Sequence, residues 1–235
     1  MNKVELLAPA GSLEKLKTAI LFGADAVYCG GLNFGLRAGA DNFTVEELEE
    51  GIRFAHQRDK KIYMTLNMIP HNEELAQLPE YIDKIKKLNL DALIISDPGV
   101  FALVKKEMPE MEIHISTQAN NVNWASALFW AEQGAERIIL ARELSRDEIK
   151  EITAKTKGEI ELEYFVHGAM CISYSGRCLL SNYFVGRDAN KGDCAQSCRW
   201  QYHLVEEKRP GEYYPIAEND QGTFIMNSRD LNLAA

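Results

Sequence analysis

Residues 92–117 read ALIISDPGVFALVKKEMPEMEIHIST. The stretch opens on an almost continuous apolar run, ALIISD (92–97), of the kind found in parallel strands covered on both faces. It stops at Asp97-Pro98, an N-cap residue followed by proline at the first helical position. A helical segment follows, and then a second strand-like run, MEIHIST (111–117). Strand, capped helix and strand make a βαβ unit, which lays its two strands parallel in one sheet.

The same sentence recurs in both directions. Strand-like runs lie at VELLAPA (4–10), DAVYCGG (25–31), KIYMTLNMI (61–69), RIILARE (137–143) and IELEYFV (160–166), which with the two above makes seven. Helix starts are legible between them. Ser12 precedes an apolar stripe of Leu13, Leu16, Ile20 and Leu21, while Thr44 with Glu47 and Ser145 with Glu148 have capping-box spacing. Gly23, Gly134 and Gly158 fall where helices should end. Without a Rossmann-type glycine fingerprint, the pattern favours an α/β fold of the (β/α)8 TIM-like barrel type over a doubly wound sheet. The eighth unit is not evident, so the barrel reads as incomplete in this chain. The expected division is 1–170 for the barrel units and 171–235 for a cysteine-rich segment and the start of the final barrel part. Trp124 and Trp130 are expected to pack in the barrel shell.

In such a barrel the chemistry sits at the C-terminal ends of the strands. Those ends are polar or glycine-rich here: Pro9-Ala10-Gly11, Gly30-Gly31, Asn67, Asp97, Thr117-Gln118, Arg142-Glu143 and His167-Gly168. Just past the seventh strand come four of the five cysteines, Cys171, Cys178, Cys194 and Cys198, spaced C-x6-C-x15-C-x3-C. The first residues hold no apolar signal-peptide core and no run is long enough to cross a bilayer, so the expected compartment is cytoplasmic, with no membrane partner. Thiols stay reduced there, and an odd cysteine count fits a disulfide framework poorly. Four thiols near one point suit Zn²⁺ or an iron–sulfur cluster. Only Cys194 and Cys198 have the spacing usual for zinc. From spacing alone an iron–sulfur cluster, zinc and no metal all remain open. Cys29, at the end of the second strand, reads as a small buried hydrophobe. The net charge of −9 argues against broad nonspecific nucleic-acid binding without excluding an RNA met at a local basic patch.

Several stretches resemble the U32 family, long labelled collagenase-like peptidases. ELEYFVHGAMCISYSGRC (161–178) resembles its signature, and LSNYFVGRDANKGDCAQSCRWQY (180–202) extends the match. ELLAPAGSLEKLKTAILFGADAVYCGG, FGLRAGADNF, HISTQANNVN and ILARELS are similar to its beginning and middle. Within the family the chain resembles the bacterial tRNA 5-hydroxyuridine modification (prephenate-dependent tRNA hydroxylation) proteins. The resemblance implies hydroxylation of a wobble uridine in tRNA, with prephenate as the small-molecule co-substrate. It also implies a [4Fe–4S] cluster on Cys171, Cys178, Cys194 and Cys198, zinc being the alternative. Many relatives carry a further cysteine in the motif that here reads SRDLN, at the position of Asn232. Relatives also continue with more barrel and a small C-terminal domain, which is expected to be absent here.

On this reading Arg142, Glu143, Glu163 and His167 are the candidate catalytic residues. Glu163 is expected on the face of His167 by strand alternation. Arg37, Arg142, Arg177 and Arg187 are candidates for gripping a dicarboxylate. Asn67 and Gln118 are placed to read a uracil edge. Two other classes stay open. A peptidase could pair Cys171 or Cys178 with His167, although HExxH and GxSxG motifs are lacking. A noncatalytic barrel could use zinc only to tie down the long loop between Cys178 and Cys194.

Overall fold

A computed structural model describes residues 4–31 and 43–200, together with 202, 204–205, 207–214, 217–219, 222–224 and 231–232. All seven expected strands form: β1 (Leu7–Ala10), β2 (Ala26–Gly30), β3 (Lys61–Leu66), β4 (Ala92–Ile95), β5 (Ile113–Ile115), β6 (Arg137–Ile139) and β7 (Glu161–Glu163). They hydrogen-bond in chain order and every pair is parallel. One helix lies in each link: α1 (Leu13–Leu21), α2 (Val45–His56), α3 (Asn72–Ile85), α4 (Pro98–Glu107), α5 (Trp124–Glu132) and α6 (Arg146–Lys155). The result is a TIM-like sheet of seven strands curled into a half-barrel.

The caps explain where each helix begins. Ser12 accepts from the Lys15 amide, and one Asp97 carboxylate oxygen accepts from the amides of Gly99 and Val100. Thr44 with Glu47 and Ser145 with Glu148 form reciprocal capping boxes. Asn123, unnoticed in the sequence, caps α5 through the Ser126 amide.

Alternation along the strands sorts the core into two layers. Val27, Cys29, Ile62, Met64, Leu93, Ile95, Ile113, Ile115 and Ile138 point outward against Leu16, Ile20, Leu48, Ile52, Leu78 and Ile82 of the helices. Ala26, Tyr63, Ala92, Ile94 and Ile139 fill the barrel interior with Leu7, Tyr28 and Phe165. Cys29 is therefore a core hydrophobe. Trp130 is buried, whereas Trp124 is only partly covered and has the Lys155 ammonium 4.8 Å from its ring centre.

Below the apolar plug, at the N-terminal end of the strands, lies a polar floor. Arg137 is 9% exposed and binds Glu5 (2.6 Å), Glu161 (2.7 Å) and Glu163 (3.5 Å), while the Tyr63 hydroxyl donates to Glu5 at 3.0 Å. Burial works against the Arg137 charge, but its hydrogen bonds to Glu5 and Glu161 outweigh that and hold its pKa above the ordinary value. Burial pushes the Glu163 carboxyl up to about 7, opposed by Arg137 and reinforced by Glu5.

Past β7 the structure departs from the sequence expectation. IELEYFV is not one strand: β7 ends at Glu163, and His167–Gly168 form a separate strand, β8. A short helix, α7 (Leu180–Val185), follows. The strand-like YHLVEE contributes β9 (Leu204–Val205), which pairs antiparallel with β10 (Tyr213–Tyr214) and does not join the barrel sheet. β11 (Ala217–Asn219) pairs with β12 (Gly222–Phe224). Leu231–Asn232 form β13, antiparallel to β8, with Asn232 in register with His167. No helix among the described residues is long and apolar enough to cross a membrane.

Candidate functional site

The cysteine segment crosses the C-terminal end of the half-barrel and is fastened there at several strand ends. Arg142, just after β6, donates to the Ala169 carbonyl, to Cys171 Sγ (3.2 Å) and to Ser175 Oγ (3.0 Å). Its guanidinium also lies 5.8 Å from the centre of the Phe165 ring. Asn120, after β5, donates to the Ser175 carbonyl (2.9 Å), and Arg177 Nε donates to Asn120 Oδ1 (3.1 Å). Farther along, the Ile69 amide meets the Asn190 carbonyl and Lys191 pairs with Glu74 of α3. The segment thus spans the rim from β6 to β3.

Local chemistry explains these joints. Asn120 ends a 3₁₀ turn (Thr117–Ala119) in the left-handed region at φ 55°, which asparagine tolerates better than most residues. Gly176 has φ 73°, and a Cβ there would meet Gln118 Oε1 at 2.3 Å, so only glycine lets the loop lie against the rim.

The four thiols gather on this segment. Cys171 and Cys194 are exposed, Cys178 and Cys198 partly buried. Burial raises the Cys198 pKa, and the charges of Cys171, Cys194 and Cys178 each add to it, while Arg199 opposes. One thiol therefore feels all three others. The Gln196 amide donates to Cys194 Sγ at 3.3 Å. Among the described residues no three His, Cys, Asp or Glu side chains converge closely enough to hold a single ion. Four cysteine thiols are the donor set that zinc and iron–sulfur centres take.

Several polar atoms at this end are buried without a hydrogen-bond partner among the described residues: Gln118 Oε1, Asn121 Nδ2, Arg142 Nε, Asn190 Oδ1, Ser197 Oγ and Tyr202 Oη. Native structures leave few such atoms, and each calls for a partner such as ordered water, an ion or a ligand.

The candidate residues divide clearly. Arg142, Gln118, Arg177 and the four cysteines come together at the mouth. Asn67 is there too, its amide donating to Ser116 Oγ and its carbonyl accepting from Ser96. Glu143 and His167 are exposed, and neither side chain has a hydrogen bond to the described residues, the His167 backbone being paired with Asn232. Arg187 forms an ordinary ion pair with Asp193 at 2.7 Å. Arg37 lies outside the described residues. Glu163 requires a correction: it does not share a strand face with His167, because β7 ends before the chain turns into β8, and its partner is Arg137 in the floor. Asn120, Asn121 and Ser175 were missed. The asparagine run within HISTQANNVN was the available signal, since asparagine both tolerates the left-handed region and caps helices.

A model of peptidase family U32 matches residues 11–235. The tRNA hydroxylation protein P1 of Bacillus subtilis is 47% identical over 99% of this chain and 54% of its own length. The 23S rRNA 5-hydroxycytidine C2501 synthase of Escherichia coli is 41% identical over 88% of this chain and 31% of its own. The chain spans 54% to 60% of the length of tRNA hydroxylation protein P1 of Bacillus subtilis and of tRNA hydroxylation protein P of Escherichia coli and Helicobacter pylori. The solved structure of a U32 peptidase superposes with a TM-score of 0.59 at 16% identity, covering 71% of this chain and 70% of that one, a likeness of fold.

Proposed function

The chain belongs to peptidase family U32, and on that premise we propose that it forms the barrel part of an RNA hydroxylase acting on a tRNA uridine at a four-thiolate iron–sulfur centre. The observation that carries this reading is the gathering of Cys171, Cys178, Cys194 and Cys198 across the mouth of a TIM-like barrel, where such folds place their chemistry. The names of two relatives, one for tRNA and one for rRNA, share RNA and hydroxylation, and both support it.

The four cysteines would hold the cluster, which when bound supplies one-electron redox chemistry. Four thiolates are the ligand set of a [4Fe–4S] centre, zinc being the second reading. Around it the chain's own residues have distinct work. Arg142 fixes Cys171 and the 171–178 loop through its forked donors. Gln118 Oε1 is an unused acceptor and Asn121 Nδ2 an unused donor, the pair of roles that a uracil N3–H and its carbonyls call for. Arg177 is engaged only through Nε among the described residues, which leaves donors for the carboxylates of prephenate, the co-substrate we assign. A thiol-peptidase dyad has no support: no histidine nitrogen bonds to Cys171 or Cys178 among the described residues, and Cys171 Sγ faces a guanidinium.

The test combines two readouts. Full-length protein purified without oxygen is expected to carry about four irons and matching sulfide per chain, with a broad visible charge-transfer band. Cells lacking the gene are expected to lose a hydroxylated tRNA uridine and regain it on complementation. Stoichiometric zinc without iron, or tRNA nucleosides unchanged by deletion, overturns the reading.

A further inference from the structure

The Arg142 guanidinium reaches the thiols from the barrel, just past β6. Several contacts fix its aim independently of any thiol. Nη1 donates to the Ala169 carbonyl, Nη2 donates to Ser175 Oγ at 3.0 Å, and the centre of the Phe165 ring lies 5.8 Å away. Ser175 is itself 5% exposed, and its carbonyl accepts from Asn120 at 2.9 Å. The same Nη2 donates to Cys171 Sγ at 3.2 Å. A donor held in this way is preorganised, with little side-chain freedom left to lose when it engages a thiolate.

Cys194 is engaged differently. Its Sγ accepts from the Gln196 backbone amide at 3.3 Å, a neutral donor. Hydrogen bonds from an ionised donor are roughly twice as strong as neutral ones. Among the described residues no carboxylate pairs with Arg142, so its charge faces the thiols. That matters at a centre that accepts electrons. Adding one electron to an iron–sulfur centre adds one negative charge and takes up no proton, and hydrogen bonds to the sulfurs are among the factors that set the potential. A cation bonded to one sulfur stabilises the reduced form more than the oxidised form, and so raises that potential.

We infer that Arg142 is a positioning residue that sets the redox poise of the metal centre: its hydrogen bond to Cys171 Sγ raises the potential at which the centre accepts an electron. The inference rests on the iron–sulfur reading above and goes beyond it, since four thiolates can bind iron without any such control.

The experiment is an anaerobic potentiometric titration of the full-length protein, with dithionite as the electron donor and electron paramagnetic resonance reading the reduced form. Only iron-bearing protein gives that signal, so partial loss of iron leaves the midpoint readable. Arg142→Gln removes the charge and is expected to lower the reduction equilibrium constant roughly ten-fold, about 59 mV for one electron. Arg142→Lys keeps the charge but not the planar fork, and is expected to lower it about three-fold. Arg146→Gln removes the same charge from the exposed start of α6 and is expected to change it by less than about two-fold. If wild type holds iron and Arg142→Gln titrates within about two-fold of it, the inference is overturned while the iron–sulfur reading stands. Should Arg142→Gln hold no iron, Arg142→Lys decides by the same limit. If Arg146→Gln shifts the midpoint as far as Arg142→Gln does, net charge and not the bond to Cys171 is responsible, and the inference is wrong. If wild type holds zinc and no iron, the iron–sulfur reading fails and the inference falls with it.

Discussion

The two ends of this half-barrel handle buried polarity in opposite ways. At the floor, Arg137 is saturated: three carboxylates surround its guanidinium and Tyr63 completes the group through Glu5. At the mouth, six buried polar side-chain atoms have no hydrogen-bond partner among the described residues, whereas beside the floor His114 Nδ1 is the one such atom among them. Both regions are built from charged and amide side chains on the same strands, so composition does not separate them. Satisfaction does. A closed polar network ties strands together, whereas an open one is a site.

The sharpest way to break that comparison is to remove the arginine at each end. Arg137→Met strips the counter-charge from Glu5 and Glu163, and leaving buried carboxylates unpaired is expected to cost about 3 kcal/mol or more, read as a fall in the urea midpoint. Arg142→Met, at a half-exposed position, is expected to cost under about 1 kcal/mol but to lower bound iron several-fold, since Cys171 loses its donor. Equal stability losses at both ends would dissolve the distinction.

The floor also has a pH signature. Glu163 is pushed from 4.5 to about 7. Between those values the folded protein holds a proton that the unfolded chain has released. Stability therefore falls as pH rises across that window and levels off above it. The total is at most about 3 kcal/mol, a ceiling because the side chain is 20% exposed and solvent screens part of the effect. Glu163→Gln is expected to flatten the slope, so the variant gains on wild type between about pH 5 and about pH 8. Parallel curves for the two proteins would show that Glu163 carries no such linkage.

How much of this was legible in the sequence follows from range. Strands and caps are local: the runs, Asp97-Pro98 and the capping boxes each declare themselves within a few residues, and all formed. The grouping of the cysteines was legible too, because spacing after the last strand placed them at the mouth. The floor was not, since Glu5, Tyr63 and Arg137 are far apart in the chain and meet only when the sheet curls. The Glu163–His167 pairing failed for the same reason in reverse. Alternation holds within a strand, and nothing in IELEYFV announces that the strand stops at Glu163.

The smallest expected effect tests the mouth most directly. Ser197 Oγ is buried on a residue only 2% exposed, directly before Cys198, and has no hydrogen-bond partner among the described residues. A hydroxyl in that position contributes nothing through hydrogen bonding while still having left water, so removing it should be neutral or slightly stabilising, within about 0.5 kcal/mol. Ser145, by contrast, is exposed but caps α6 through the Glu148 amide, and its replacement by alanine should cost about 1 kcal/mol. The buried serine is thus expected to matter less to folding than the exposed one, against the usual ranking by burial. Urea denaturation of Ser197→Ala and Ser145→Ala decides it: a loss for Ser197→Ala as large as that for Ser145→Ala would mean the hydroxyl is engaged in the fold, and the mouth would then be a satisfied structure like the floor.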